Sequence, residues 1–171
     1  MKWSLRKTGC DKMEKTQRCL AVVRVRGLSD IRKDIQDTLH MLNLARNCNA
    51  TLIDDRPSYL GMLKKVQNCV AWGEPSKDTI IGLLKKRGRA AGNKRLSNDD
   101  FEKLGYDTID KLAEALYSRE VQLKDLSGIK PVFRLRPPKK GFKGSIKKSF
   151  KSGGVTGYRG EAINDLIKRM T

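Results

Sequence analysis

No apolar run in this 171-residue chain approaches the length of a membrane-spanning helix, and the opening MKWSLRKTGCDKMEKTQRC lacks the apolar block of a signal peptide. The chain reads as soluble and intracellular, without a membrane partner. Histidine occurs once, as His40, with no sequence-local Ser or Cys nucleophile to serve. Cys10, Cys19, Cys48 and Cys69 are widely spaced and form no C-x-x-C pair, so thiols in a reducing compartment explain them better than a zinc site does. Asp54-Asp55 and Asn98-Asp99-Asp100 can be drawn as acid/base or metal pairs. Turns and helix starts favour the same residues for hydrogen-bonding reasons, and capping is the better account. No catalytic constellation emerges; an enzyme, a cofactor and a small-molecule substrate are not expected.

The most informative absence is acid. Between Asp125 and Glu161 there is no carboxylate, yet Lys130, Arg134, Arg136, Lys139, Lys140, Lys143, Lys147, Lys148, Lys151 and Arg159 fall in that interval. The imbalance extends to the whole chain, where 37 Lys and Arg against 19 Asp and Glu give a formal net charge of +18. Pro137-Pro138 forbids continuation of a strand or helix, and Gly141, Gly144, Gly153, Gly154, Gly157 and Gly160 recur too often for a packed element. The stretch therefore reads as an extended cationic arm that repels itself when free and orders against a polyanion, releasing its counterions. Nucleic acid is the expected partner.

Along the chain, residues 1–18 are a polar, basic lead-in. LAVVRVRG from Leu20 alternates, with Ala21, Val23 and Val25 on one face and Arg24 and Arg26 on the other, predicting a strand with a cationic side. Gly27 ends it, Ser29 or Asp30 can cap a helix, and Ile31, Ile35, Leu39 and Leu42 follow at helical spacing. ATLID is a second strand, Pro57-Ser58 starts a helix carrying Leu60, Leu63 and Val66, and CVAWG is a third strand. This gives β-α-β-α-β over residues 19–75. Residues 76–130 read as a helical insertion: Ser76 caps a helix ending in LKKRG, Ser97 with Asp100 resembles a capping box for a short helix holding Phe101 and Leu104, and Thr108 caps another with Ile109, Leu112, Ala113 and Leu116. Lys85, Lys86, Arg87, Arg89, Lys94 and Arg95 carry more positive charge than a helix C-terminus requires, and read as a second cationic patch. Residues 131–160 hold the strand VFRLR and the arm, and residues 161–171 a helix with Ile163, Leu166, Ile167 and Met170 on one face.

The glycines before Glu161 look superficially like a phosphate-binding loop, but a dinucleotide fingerprint needs a preceding strand and a βαβ context. GFKG matches the G-x-x-G of KH domains in four letters only. Phe142, Phe150 and Tyr158 lie among the cations, placed either to stack on bases or to anchor the arm to the protein.

LAVVRVRG, DIQDTLHMLNL, RPSYLGMLKKVQNCVAWGEPS, LLKKRGRAAGNKRL, LRPPKKGFKG and SGGVTGYRGEAINDLIKRM together resemble the archaeal and eukaryotic-type large-subunit ribosomal protein L-thirty family, whose eukaryotic counterpart is called L-seven. The resemblance runs from Leu20 to Thr171 and leaves residues 1–18 outside. It implies an α/β (α+β) fold with a ferredoxin-like core, a helical insertion and a C-terminal arm. It also implies a structural, non-catalytic role in the cytoplasmic large ribosomal subunit, with 23S-type rRNA as partner and neighbouring ribosomal proteins beside it. By the same resemblance Lys64 and Lys65 join Arg24, Arg26, the patch from Lys85 to Arg95 and the cations of the arm as RNA contacts. The alternatives are an RNA-processing or RNA-modifying enzyme and an RNA chaperone built on the same basic platform.

Overall fold

The computed structural model describes residues 18–27, 29, 31–97, 101, 105–106, 108–126 and 128–171. Strands β1 (Cys19–Arg24), β2 (Asn49–Asp54), β3 (Val70–Gly73), β4 (Phe133–Arg134), β5 (Ser145–Ser149) and β6 (Gly154–Tyr158) form one sheet in the order β4-β2-β1-β3-β6-β5. β1 is central and antiparallel to both β2 and β3. Helices α1 (Lys33–Met41) and α2 (Pro57–Val66) cover one face; α3 (Lys77–Arg87), α4 (Ile109–Ser118) and α5 (Ile163–Met170) cover the other. The result is an α/β sandwich of the ferredoxin-like type.

Alternate residues of β1 enter two different cores. Leu20 and Val22 join Leu39, Leu42, Leu63 and Val66 from the α1–α2 side. Ala21, Val23 and Val25 join Leu83, Leu84, Leu112, Leu116, Ile163 and Ile167 from the α3–α4–α5 side. All six residues of β1 are buried, so the strand has no solvated cationic side, contrary to the pattern read from LAVVRVRG. A strand covered on both faces reads as a near-continuous apolar run, and VRVR imitated the alternation of a one-sided strand.

The boundaries follow local chemistry. Pro57 opens α2 at a position where a missing N–H costs nothing. Ser76 caps α3 by accepting from the Thr79 N–H at 3.3 Å, and Thr108 caps α4 by accepting from that of Lys111. α1 instead starts after Arg32 without a side-chain cap, so Ser29 does not cap it, and Asp30 lies outside the described residues. Of the proposed box, Asp100 and Leu104 also lie outside them; Phe101 is buried in the core. Gly88 follows α3 with φ −58°, not in a left-handed cap, and is required because a Cβ there would strike the Leu84 carbonyl and the Leu96 side chain. VFRLR pairs only through Phe133 and Arg134, yet its alternation holds: Phe133 and Leu135 are buried, Arg134 and Arg136 exposed.

The largest departure from the sequence expectation lies at 154–158. This glycine-rich segment is a strand, buried at Gly154, Val155 and Thr156, and it pairs in parallel with β3. Its glycines serve close approach: a Cβ on Gly154 would meet the Lys148 carbonyl, and one on Gly73 of β3 would meet the Gly160 carbonyl. Thr156 Oγ1 donates to Lys148 O at 3.0 Å, fastening β5 to β6. β5 itself is exposed along its whole length and carries Lys147 and Lys148.

Candidate nucleic-acid interface

The C-terminal turn of α5 is where the two cationic stretches meet. The last carbonyls of a helix have no partner within it, and here neighbouring segments supply the donors. Arg136 N donates to Met170 O and Lys139 N to Arg169 O, both at 3.0 Å. The Arg169 side chain returns a bond to Gly141 O at 2.9 Å, and Arg87 of α3 donates to Thr171 O at 2.9 Å. Cations at this end also suit the helix dipole. The start of the arm is thus fastened to the fold, while Lys139, Lys140 and Lys143 remain exposed.

Around Arg87 the fold gathers a group of guanidinium ions. An antiparallel bridge sets Arg89 opposite Arg95, and Lys130 N donates to Arg89 O at 2.8 Å, tying that loop to the chain leading into β4. Burial holds the Arg87 guanidinium below its usual range, and the nearby charges of Arg136, Arg89 and Arg95 lower it further. Lys85, Lys86 and Lys94 are exposed beside them. Like charges held together in this way favour an anion between them.

Beyond Lys143 the surface continues to Arg159, whose guanidinium lies 4.5 Å from the centroid of the Phe150 ring. Burial, then Arg169, lowers its pKa, while Asp165 acts in the opposite direction. Arg159, Arg169, Lys143 and Lys168 border a groove of about 430 Å³. Lys147, Lys148 and Lys151 lie on and just after the exposed strand β5.

The acids are engaged elsewhere. Among the described residues the ion pairs join Arg18 to Glu74, Arg56 and Arg119 to Asp54, Lys65 to Asp34, and Lys77 to Glu114. None involves a residue of 126–160 or of 85–95. The cations of 126–160, set apart from acids along the chain, are thus free of ion pairs in the fold as well, with Asp165 of α5 as the carboxylate nearest Arg159.

Several candidate residues are not part of this surface. Arg24 is 0% exposed. Its guanidinium donates to the carbonyls of Leu44 and Ala45 at 2.8 Å, of Arg26 at 2.9 Å and of Gly27 at 3.2 Å. It is an internal strut between β1 and the loop after α1 and is withdrawn as an RNA contact. Arg26 is half-buried beside Cys69. Lys64 and Lys65 are exposed at the end of α2, on the opposite face of the sheet from α3 and α5, and Lys65 lies 3.7 Å from Asp34 of α1. Tyr158 packs against Trp72 with ring centroids 6.5 Å apart and directs its hydroxyl to Glu74. Asp54, read as a turn residue, is instead the buried carboxylate shared by Arg56 and Arg119.

The model of the family described as ribosomal protein L30p/L7e matches residues 20–70. The large ribosomal subunit protein uL30 of Methanosphaera stadtmanae is 48% identical over 151 residues, covering 88% of this chain and 98% of that one. Those of Thermofilum pendens and Nanoarchaeum equitans are each 47% identical over 150 residues, covering 87% of this chain and 96% of theirs. The chain belongs to the L30p/L7e family.

The matched segment 20–70 of the L30p/L7e model runs from the second residue of β1 through α1, β2 and α2 to the first residue of β3. The surface around α5 lies outside it. Likeness to the uL30 proteins extends over most of the chain, well beyond that segment. Sequence reading missed Arg169 and Lys168, basic residues in the last turn of α5.

Proposed function

We propose that the chain is a structural constituent of the large ribosomal subunit, binding and stabilising folded rRNA through phosphate contacts in cytoplasmic ribosomes. The observation that carries this reading is the cationic surface from Arg89 and Arg95 through Arg136 and Arg169 to Lys147 and Lys148, on which no cation of 85–95 or 126–160 is joined in an ion pair among the described residues and Asp165 is the carboxylate at the groove. The uL30 name of the relatives supports the assignment to the large subunit. A 23S-type rRNA is the proposed partner, with neighbouring ribosomal proteins as further contacts. Lys85, Lys86, Arg87, Arg89, Lys94, Arg95, Arg134, Arg136, Lys139, Lys140, Lys143, Lys147, Lys148, Lys151 and Arg159 are the proposed contacts. Arg26, Lys64, Lys65 and the exposed edge of Tyr158 are peripheral ones.

Each exposed contact contributes about 1 kcal/mol or less, so affinity resides in the sum. Such binding recognises the shape and backbone of folded RNA rather than a base sequence. With six to ten phosphates neutralised, affinity falls by roughly 10³–10⁵ between 50 and 200 mM salt. Titration of the purified chain with a large-subunit rRNA fragment across that range tests the mechanism; a flat response refutes it. Sedimentation of lysate tests the location, the expected result being stoichiometric migration with the large subunit through a moderate salt wash. The ribosomal relatives offer no support for an RNA-modifying enzyme or a chaperone.

A further inference from the structure

We infer that the groove between Arg159 and α5 receives a single nucleotide extruded from folded RNA, with its base against the Arg159–Phe150 pair and an amino edge of that base on Asp165. The inference rests on the RNA-binding reading above and adds a nucleotide subsite to it.

Size and lining support a nucleotide over a bare phosphate. The groove measures about 430 Å³ and is bordered by Lys143, Arg159, Asp165, Leu166, Lys168 and Arg169. That lies within the range of small-ligand sites and exceeds what one phosphate needs. A carboxylate in a phosphate-only site would repel its ligand. Asp165 stands in this one, so part of the ligand must be neutral and able to donate a hydrogen bond. A base edge meets both conditions, and the cations at the rim meet the phosphate attached to it.

The parts are also held in place before any ligand arrives. Arg159 already rests 4.5 Å from the Phe150 ring centroid, and Phe150 is itself exposed, as a stacking platform for an unpaired base requires. Arg169 is fixed by its bond to Gly141 O. Nε of Arg159 and Nε of Arg169 are both buried without a hydrogen-bond partner, so neither guanidinium is fully solvated. Burial and mutual repulsion lower the Arg159 pKa, and an anion at the rim would relieve that cost.

Asp165 gives the site a preference. Cytosine presents the N4 amino donor where uracil presents an acceptor, so a carboxylate favours the first and opposes the second. The experiment measures binding of heptameric oligocytidine and oligouridine, equal in charge and length, to the full chain by fluorescence anisotropy at pH 7.5. The wild-type protein is expected to prefer oligocytidine at least fivefold. Asp165→Asn, an exposed helix position, should bring the two affinities within twofold of each other. Arg159→Lys, which keeps the charge and loses the planar stack, should weaken both at least fivefold with an unchanged thermal transition. Equal wild-type affinity for the two oligomers overturns the inference, as does a preference that survives Asp165→Asn or affinities untouched by Arg159→Lys. Steep salt dependence on an rRNA fragment alongside such a result would leave the phosphate-binding reading intact, whereas a flat response would remove both.

Discussion

Replacing Arg24 by Met keeps most of the side-chain volume and removes the guanidinium, separating a structural role from an RNA-binding one. In the folded protein the group serves four carbonyls, three of them at 2.8–2.9 Å. The acceptor on Leu44 is in a buried bond, and losing its donor costs about 1–3 kcal/mol. The bonds to Ala45, Arg26 and Gly27 are only partly buried, so water can replace much of what they lose, at about 0.3–1 kcal/mol each by the same reasoning. Relief from holding a desolvated cation offsets part of the sum, since burial is what lowers the Arg24 pKa. A net loss of about 2–4 kcal/mol remains, corresponding to a drop in Tm of roughly 10 °C for a chain of this size. Urea denaturation gives the free energy directly. Anisotropy at low temperature, where the variant stays folded, should give RNA affinity within twofold of wild type and an unchanged salt slope. A variant of unaltered stability that loses tenfold in RNA affinity would refute the reasoning and return Arg24 to the interface.

Further perturbations test other parts of the fold. Asp54→Ala leaves the Arg119 charge buried with its partner gone and should cost about 3–5 kcal/mol in urea denaturation; adding Arg119→Met should recover most of the loss. Gly154→Ala drives a methyl group into the Lys148 carbonyl, so hydrogen exchange should show β6 and β5 losing protection while α1 and α2 keep theirs. Burial pushes the Cys19 thiol up to about 12 from an ordinary value of 9.0. A raised folded pKa gives stability that is full below the unfolded value and declines as pH rises towards the folded one. Wild-type protein should therefore lose about 1–2 kcal/mol more than Cys19→Ala between pH 8 and pH 10.5.

What the sequence made legible was local. The periodicities of α1 to α5, the Ser76 and Thr108 caps and the apolar blocks of β1 to β3 all act over a few residues, and the structure places them close to where the pattern put them. The resemblance made the ferredoxin-like family legible as well. Burial from a second side was not legible. Arg24 looked solvent-facing because nothing near it in sequence announces the carbonyls of Leu44 and Ala45 some 20 residues away. Asp54 looked like a turn residue because its partner Arg119 arrives from the end of α4. The glycines at 153–160 carry two incompatible signals, since a residue without Cβ breaks elements where it is solvated and permits close strand packing where it is buried. Only the parallel pairing with β3 decides between them.

That ambiguity bears on how the cationic surface works. Had residues 132–160 been a free arm, binding would carry the full cost of ordering some thirty residues, at about 1–2 kcal/mol each. Instead the segment is fastened at both ends: by Arg136, Lys139 and Gly141 to the last turn of α5, and by β6 to the edge of β3. β5 is then carried at the edge of the sheet, exposed on every residue and charged at Lys147 and Lys148. Charge at an exposed edge also discourages pairing with another sheet, so the same lysines that suit a polyanion oppose self-association in its absence. The core supplies the rigidity and the acid-free edge supplies the charge. On the proposed RNA-binding reading, affinity depends on cations whose backbone positions are largely fixed before contact.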